Sequence, residues 1–268
     1  MVRKQPRLPF AGYSGITLTI ASVNDTPQRP NVPDEPTRLS KVVAALVPCT
    51  RREREQLIAE VWVRVDGRIV EEPQFRVANE TVEIDRQATL QPAVPATFLL
   101  NKPAGVGTGD AHTLLGAATR WAADPTGIRR VKSHGAGLSP LLELPTPAEG
   151  LSVFSQDGRI VRKLREDAHL IEQELIADVA GNIAAGGLSR LCEGLVFEGR
   201  ALPPARVSWQ SETRLRFAVK GIAPGMLPWM CGQVGLELRA LKRIRIGRVP
   251  MAGLPSGQWR YLAPNERF

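Results

Sequence analysis

Basic side chains between residues 38 and 52 have the types and spacing that favour contact with phosphate groups. Arg38 and Lys41 are spaced one turn apart on a predicted helix, and Arg51 and Arg52 open the next one. A helix N-terminus presents free backbone N–H groups and the positive end of the helix dipole, and both attract anions. This arrangement favours a polyanionic partner, although a solvated charged face on an ordinary small domain would have the same residues.

Two short helices are predicted to position these side chains. Apolar residues recur at helical spacing over residues 38–46, and Pro48 ends that helix. Thr50 and Glu53 match a capping box, in which each side chain meets the other residue's backbone N–H at the start of the second helix. The apolar residues that this second helix should bury are Leu57, Ile58 and Val61.

The residues after the second helix are predicted to form a β-hairpin. Residues 63–70 alternate in hydrophobicity on either side of Asp66-Gly67, a preferred pair for a two-residue turn. The resulting helix–loop–helix–hairpin, with Arg38-Leu-Ser-Lys41, Thr50-Arg-Arg-Glu53 and Val63-Arg-Val-Asp-Gly67 in order, resembles the S4 RNA-binding module. The resemblance implies RNA contacts from Arg38, Lys41, Thr50, Arg51, Arg52 and Arg64.

Composition and charge agree with a nucleic-acid partner and argue against several other classes. The 268 residues carry a formal charge of +8, and a basic balance suits polyanions without proving one. Residues 200–268 hold twelve Lys and Arg against three Asp and Glu, a net of +9, whereas residues 37–86 hold nine of each. No apolar run reaches the ~18 residues of a membrane span. The three separated cysteines give no disulfide framework or metal-ligand spacing.

The remaining sequence predicts a larger α+β body behind the small module. Strands are expected at 98–101, 150–155, 174–179 and 215–219, with a helix through 160–164. Because strands and helices do not alternate regularly, a mixed sheet is favoured over repeated βαβ units. We therefore predict a flexible N-terminal extension at 1–36, an RNA-binding domain at 37–90 and a body at 96–268. A targeting peptide is the alternative for the acid-poor start of the extension.

Four segments of the body resemble the ribosomal RNA pseudouridine synthases of the branch that carries an S4 module, the RsuA, RluB and RluF type. They are Asn101-Lys-Pro-Ala-Gly105, Gly150-Leu through Asp157-Gly158, the region 195–207, and the C-terminal region 241–262. The resemblance implies an antiparallel or mixed sheet for the body and RNA, in the first place ribosomal RNA, as the partner. It also implies further RNA contacts from Lys102, Lys242 and Arg243.

The resemblance fails at the catalytic loop. Where this family has Gly-Arg-Leu-Asp, the chain has Leu142-Glu-Leu-Pro145, so that Pro145 stands at the position of the catalytic Asp and Glu143 at that of the arginine. A second departure replaces the tyrosine that faces the target base by Leu175. In a third, the basic segment of the family becomes residues 221–230, which contain no basic residue.

These departures predict a pseudoenzyme that keeps RNA binding and has lost catalysis. The alternative is an active uridine isomerase in which a displaced carboxylate has taken over, with Glu143 the first candidate and Glu149 and Asp110 the others. A protein–protein module that no longer binds RNA is a third hypothesis, which the basic C-terminal region disfavours. We expect no cofactor, no metal, a monomeric state and a cytoplasmic location.

Overall fold

A computed structural model of the chain describes residues 35–86, 88 and 94–268. The described residues fall into two compact units that divide near residue 93. The predicted extension at 1–36 lies outside the described residues except for Glu35 and Pro36, and so do most of the residues between the predicted domain at 37–90 and the body at 96–268. Each unit has its own hydrophobic core, so the two units are described separately.

The N-terminal unit consists of two helices and two small sheets. Its elements are β1 (Thr37–Arg38), α1 (Leu39–Leu46), α2 (Arg51–Ala59), β2 (Val63–Val65), β3 (Arg68–Ile69), β4 (Arg76–Val77) and β5 (Val82–Ile84). Strand β1 pairs with β4, and β2 lies between β3 and β5. All of these pairings are antiparallel.

Local sequence signals explain the elements of this unit. Leu57, Ile58 and Val61 are buried as predicted, with Ile58 fully inaccessible. Asp66 and Gly67 adopt φ angles of 47° and 74°, as a two-residue hairpin turn with both central residues left-handed requires. One boundary was predicted wrongly, because Arg38 ends β1 and precedes α1 instead of lying on the helix.

The body is built on one large sheet. Its strands are β6 (Thr97–Lys102), β7 (Ser139–Leu141), β8 (Glu149–Ser155), β9 (Gln173–Gly181), β10 (Val196–Phe197), β11 (Arg200–Ala201), β12 (Arg206–Ser211), β13 (Arg214–Val219), β14 (Leu236–Ile246), β15 (Val249–Pro250) and β16 (Trp259–Tyr261). Its α-helices are α3 (Thr108–Ala111), α4 (Gly158–Glu166), α5 (Gly187–Cys192) and α6 (Met226–Gly232).

Nine of these strands form a mixed sheet with the order β12-β13-β9-β14-β8-β6-β16, to which β7 and β15 add at β8 and β14. The β14–β8 pairing is parallel, and the other pairings are antiparallel. The body is therefore the α+β structure on a mixed sheet that the sequence predicts. No helix among the described residues has the length and apolarity to cross a membrane.

The alternation of β9 separates the two sides of the sheet. Leu175, Ala177 and Val179 are buried in a cluster with residues of α5 and α6, whereas the side chains between them are half-buried. We call the opposite side of β9, β12, β13 and β14, which carries Glu174, Ile176 and Asp178, the open face. Strand order and alternation thus decide which residues can meet within each side.

Candidate RNA interface and active-site region

The start of α2 has the capping geometry that the sequence predicts. The Glu53 backbone N–H donates to Oγ1 of Thr50 at 3.3 Å, and the Thr50 N–H donates to the Glu53 carboxylate at 2.7 Å. That second bond lowers the pKa of Glu53, because it stabilises the charged form. Arg51 and Arg52 follow the cap with exposed side chains, and Arg51 also pairs with Glu55. Thr50 therefore has a structural role in holding this helix end, whether or not it contacts RNA.

The other predicted RNA contacts of the N-terminal unit are also at its surface. Arg38 and Lys41 are exposed at the start of α1. Arg64 is exposed on β2, and its Nη1 donates to the Gly67 carbonyl at the hairpin turn. All of these cations are accessible to a phosphate group, and their RNA contacts remain a prediction.

In the body, four neighbouring strands bring the family-like motifs into one row. Lys102 of β6 is paired with Gly150 of β8, Gly150 with Arg243 of β14, and Arg243 with Leu175 of β9. A Cβ on Gly150 would lie 2.2 Å from the Arg243 carbonyl oxygen. Only glycine allows the two backbones to approach this closely, so Gly150 fixes the register of the row.

Lys102, predicted to bind RNA, is instead fully buried. Its Nζ donates to the carbonyl oxygens of Ala148 (2.6 Å), Val106 (2.7 Å), Pro103 (3.2 Å) and Thr146 (3.3 Å). Burial and the nearby Arg243 both lower the pKa of Lys102. The prediction of an RNA contact was wrong for this residue, because backbone carbonyl groups have taken the ammonium donors and excluded solvent.

Arg243 requires the same correction, being 2% exposed. Its Nε donates to the Leu151 carbonyl at 2.7 Å and its Nη1 to Oε1 of Gln173 at 2.8 Å, while Nη2 has no hydrogen-bond partner among the described residues. Burial lowers the pKa of Arg243 to about 9. Among the described residues this guanidinium forms no ion pair with a carboxylate, and burial of an arginine without such a pair is destabilising.

The loop that should carry the catalytic carboxylate lies between β7 and β8. The Gly105 N–H donates to the Thr146 carbonyl at 2.9 Å, so the loop is tied to the Asn101–Gly105 motif. Pro145 is exposed, and its carbonyl accepts from the Ala148 N–H at 3.0 Å in a turn. Glu143 is also exposed.

The space beside this loop is filled by apolar side chains. Leu144 is 6% exposed and Leu175 is 1% exposed, and both belong to the cluster that includes Met226, Met230 and Leu241. The residue expected to face a target base is therefore part of the core. A uracil could reach Leu175 only if this cluster were to open, at the expense of its buried apolar area.

Two carboxylates remain near the loop as alternative acids or bases. The Asp110 side chain and the Thr146 side chain border the same gap, since a Cβ on Gly107 would lie 3.7 Å from Oδ2 of Asp110 and from Oγ1 of Thr146. Glu149 belongs to the other side of the sheet, where its Oε1 is 2.9 Å from Nζ of Lys242. That ion pair also partly neutralises Lys242, the third RNA-binding candidate of the body.

The basic C-terminal region is far less charged in the fold than in the sequence. On the open face Arg206 and Arg245 pair with Glu172, Arg216 and Arg245 with Glu174, and Arg214 with Asp178. The two arginines that contact it lower the pKa of Glu174 to about 2. Our sequence reasoning missed these acids, although Glu174, Ile176 and Asp178 alternate along a predicted strand and could have been compared with Arg214 and Arg216.

The sequence similarities agree with this architecture. Residues 37–82 match the family model of the S4 domain. Ribosomal large subunit pseudouridine synthase B of Bacillus subtilis is 27% identical over 85% of this chain and 93% of its own length. RluF of Escherichia coli K12, a dual-specificity RNA pseudouridine synthase, is 23% identical over 88% and 78%. SVR1 of Arabidopsis thaliana, a chloroplastic protein named for the same large-subunit activity, is 28% identical over 81% of this chain but only 56% of its own length.

A solved structure supports the fold independently. A crystal structure of a pseudouridylate synthase aligns with a TM-score of 0.54, at 19% identity, over 84% of this chain and 96% of the other. Together with the S4 match, this places the chain among proteins with an S4 module followed by a pseudouridine synthase body. Within that class its sequence is most similar in kind to the S4-containing ribosomal RNA pseudouridine synthases.

Proposed function

We propose that this protein is a non-catalytic RNA-binding member of its family, acting on ribosomal or other structured RNA. The observation that carries the proposal is the loop tied to the Asn101–Gly105 motif, in which the family's Asp position is Pro145. Proline has no ionisable group and fixes its own φ, so it supplies neither a nucleophile nor a proton acceptor.

The surroundings of Pro145 support the same proposal. Leu144 and Leu175 are packed into one apolar cluster, where the family has a base-facing tyrosine. Arg243 and Lys102 are both buried without a carboxylate partner among the described residues. The family-like scaffold is therefore retained, while the groups that would do chemistry on a uridine are replaced by packing and by backbone hydrogen bonds.

The second candidate function is an active uridine-to-pseudouridine isomerase with a rearranged site. The gap that Asp110 shares with Thr146, one residue after Pro145, is the observation in its favour. Glu143 remains the candidate on the loop itself, and its exposure leaves it free to move. A catalytic carboxylate must be held within ~0.5 Å of its productive position, and no hydrogen bond or ion pair from a described residue holds the Asp110 or Glu143 carboxylate towards Leu175.

The proposed partner is RNA, with ribosomal RNA the first choice because the relatives are named for ribosomal large subunit or RNA pseudouridine synthesis. Binding would use the S4 unit, for which we propose the bounds 37–90, and the body at 96–268. We further propose a monomer in the cytoplasm that needs no cofactor, no metal and no membrane.

Activity on RNA fragments tests the first candidate against the second. The purified protein should form no pseudouridine in ribosomal RNA fragments and no stable adduct with RNA that contains 5-fluorouridine. Removal of groups that act as a unit in catalysis costs many orders of magnitude in rate. The variant Pro145→Asp should also stay inactive, because Glu143 and Leu175 would still be unchanged.

Turnover in the unmodified protein would contradict the proposal. In that case Asp110→Asn and Glu143→Gln identify the acting carboxylate, since only the substitution of that residue should abolish product. Arg159→Gln, at an exposed arginine of α4, is the matched surface control and should leave any turnover unchanged.

A further inference from the structure

The open face of the sheet has an unusual layering of charge. The arginines Arg206, Arg214 and Arg216 have side chains that are 77%, 57% and 48% exposed, whereas their partners Glu172, Asp178 and Glu174 are 24%, 40% and 13% exposed. The carboxylates therefore lie deeper than the guanidinium groups. These guanidinium groups therefore face the solvent, and their ion pairs with the less exposed carboxylates hold them in position.

Each of these arginines keeps donors for another ligand. Arg206 and Arg216 bind their carboxylates through Nη2 and Arg214 through Nε, and the remaining guanidinium N–H groups have no partner among the described residues. A guanidinium has five N–H donors in a rigid fork that matches phosphate. Because the carboxylates already restrict its rotation, less side-chain entropy is lost when a phosphate binds.

A cavity of about 260 Å³ on the same face is lined in part by Arg214. Ile176 and Ala240 supply apolar side chains to its lining, which also includes Leu241 and Gln210. The charged lining residues form two ion pairs, Arg214 with Asp178 and Lys242 with Glu149, so the cavity carries no net charge from them. Drug-sized ligands take pockets of ~300–1,000 Å³, so this cavity suits one planar group of about the size of a base. Unstacked RNA bases are bound by apolar or guanidinium contacts to the ring and by hydrogen bonds to its edge.

We propose that the open face binds a single-stranded segment of RNA, with phosphates on Arg206, Arg214 and Arg216 and one base in the adjoining cavity. The inference rests on the proposed function, in that it assumes an RNA ligand. It assigns a second RNA surface on the side of the sheet opposite the row of Lys102, Gly150, Arg243 and Leu175. It also assigns an RNA-binding role to arginines of the basic C-terminal region that form ion pairs within the sheet.

The salt dependence of RNA binding tests the proposal. A labelled single-stranded RNA decamer is titrated by fluorescence anisotropy between 50 and 200 mM salt with the full chain and with Arg214→Gln/Arg216→Gln. Each phosphate contact to a single strand contributes ~0.7 to the slope of log K against log salt, so the double variant should lose about 1.4 units. Arg159→Gln, also an exposed arginine above a more buried acid, is the matched control and should keep the full slope.

A separate substitution tests the proposed role of the cavity. Ala240 is exposed on β14 at the cavity wall, and Ala240→Leu should weaken binding of the decamer several-fold without changing the salt slope. In the wild-type protein, a decamer that contains 4-thiouridine should crosslink to residues 206–216 or 236–245. This measurement does not depend on the folding of a variant.

The outcomes separate this proposal from the proposed function. A wild-type slope in Arg214→Gln/Arg216→Gln together with crosslinks confined to the N-terminal unit would overturn the open face and leave the RNA-binding function intact. Failure of the wild-type protein to bind the decamer or structured ribosomal RNA would overturn both. If Arg214→Gln/Arg216→Gln bound oligoglutamate more weakly than the wild-type protein but bound RNA equally well, the face would be assigned to an acidic protein. That result would overturn the proposal.

Discussion

Single residues in the body show how burial changes the role of a charged or polar side chain. Lys102 and Arg243 come from motifs that suggest RNA contact, yet both serve as buried hydrogen-bond donors to backbone and amide oxygens. His134 is likewise 5% exposed, with Nδ1 2.8 Å from the hydroxyl of Tyr261. Such residues couple protonation to folding, because the unfolded chain returns them to water.

Protonation of His134 should make the stability of the body depend on pH. Burial lowers the pKa of His134, the positive charges of Arg130 and Arg120 lower it further, and a hydrogen bond with the Val94 backbone raises it. The folded state therefore binds this proton less readily than the unfolded state. The associated stability is present above the unfolded pKa of about 6.5 and is lost as the pH falls below it towards the folded pKa.

Chemical denaturation at pH 7.5, 6.5 and 5.5 measures the free energy of unfolding, which should decrease as the pH falls. His134→Gln, which keeps a polar partner for Tyr261, should make that decrease smaller. Carboxyl groups with lowered pKa values, such as Glu174 and Asp124, keep their full stabilising contribution at these pH values. They lose it only as the pH falls below their unfolded pKa values of about 4. An equal decline in the wild-type protein and in His134→Gln would disprove the assignment to His134.

At the scale of elements, the local rules of capping and turn formation hold in the N-terminal unit. The Thr50–Glu53 capping box and the Asp66-Gly67 turn are both formed as predicted. The cap leaves the first turn of α2 with a defined direction, and Arg51 and Arg52 extend from it into solvent. That geometry supports the prediction that the start of α2 binds phosphate groups through Arg51 and Arg52.

Arg51→Ala/Arg52→Ala should weaken binding to structured ribosomal RNA and lower the salt slope by about 1.4 to 1.8 units, at ~0.7–0.9 per phosphate contact. Folding should be preserved, because both side chains are exposed and the capping residues remain. Binding isotherms over a salt series provide the measurement. Arg86→Ala, at an exposed arginine of the same unit, is the control, and a slope equal to that control would contradict the assignment of the helix start to RNA.

For the whole molecule, the separation of the hydrophobic cores is the main organising feature. One cluster lies in the N-terminal unit, around Leu39, Ile58 and Val63, and three others lie in the body. A unit with its own core is expected to fold by itself.

The fragment 94–268 should therefore fold without the N-terminal unit. It should unfold cooperatively in a thermal scan, within a few degrees of the matching transition of the full chain, and should lose the part of the RNA salt slope that Arg51 and Arg52 provide. Circular dichroism and calorimetry measure the first expectation. A fragment that binds ANS and has no cooperative transition would instead show that the body needs its neighbour.

The sequence alone determined the local elements and the fold class. Capping boxes, two-residue turns and strand alternation depend on residues within about four positions of one another. The assignment of Pro145 to the position of a catalytic carboxylate rests on the sequence resemblance and stays a prediction. For these reasons the S4 module and the α+β body could be described from the sequence, and the departures at Pro145 and Leu175 could be proposed from it.

Only the tertiary structure decided which charges remain available. Arg214 meets Asp178 across 36 residues of sequence, and Arg243 meets the Leu151 carbonyl across 92. Such pairs are set by strand order in the sheet, and strand order depends on long-range packing that no local pattern encodes. A net charge counted along the sequence therefore overstated the free charge of the C-terminal region. One of its expected RNA contacts, Arg243, lies on the buried side of the sheet, and another, Lys242, is ion-paired with Glu149.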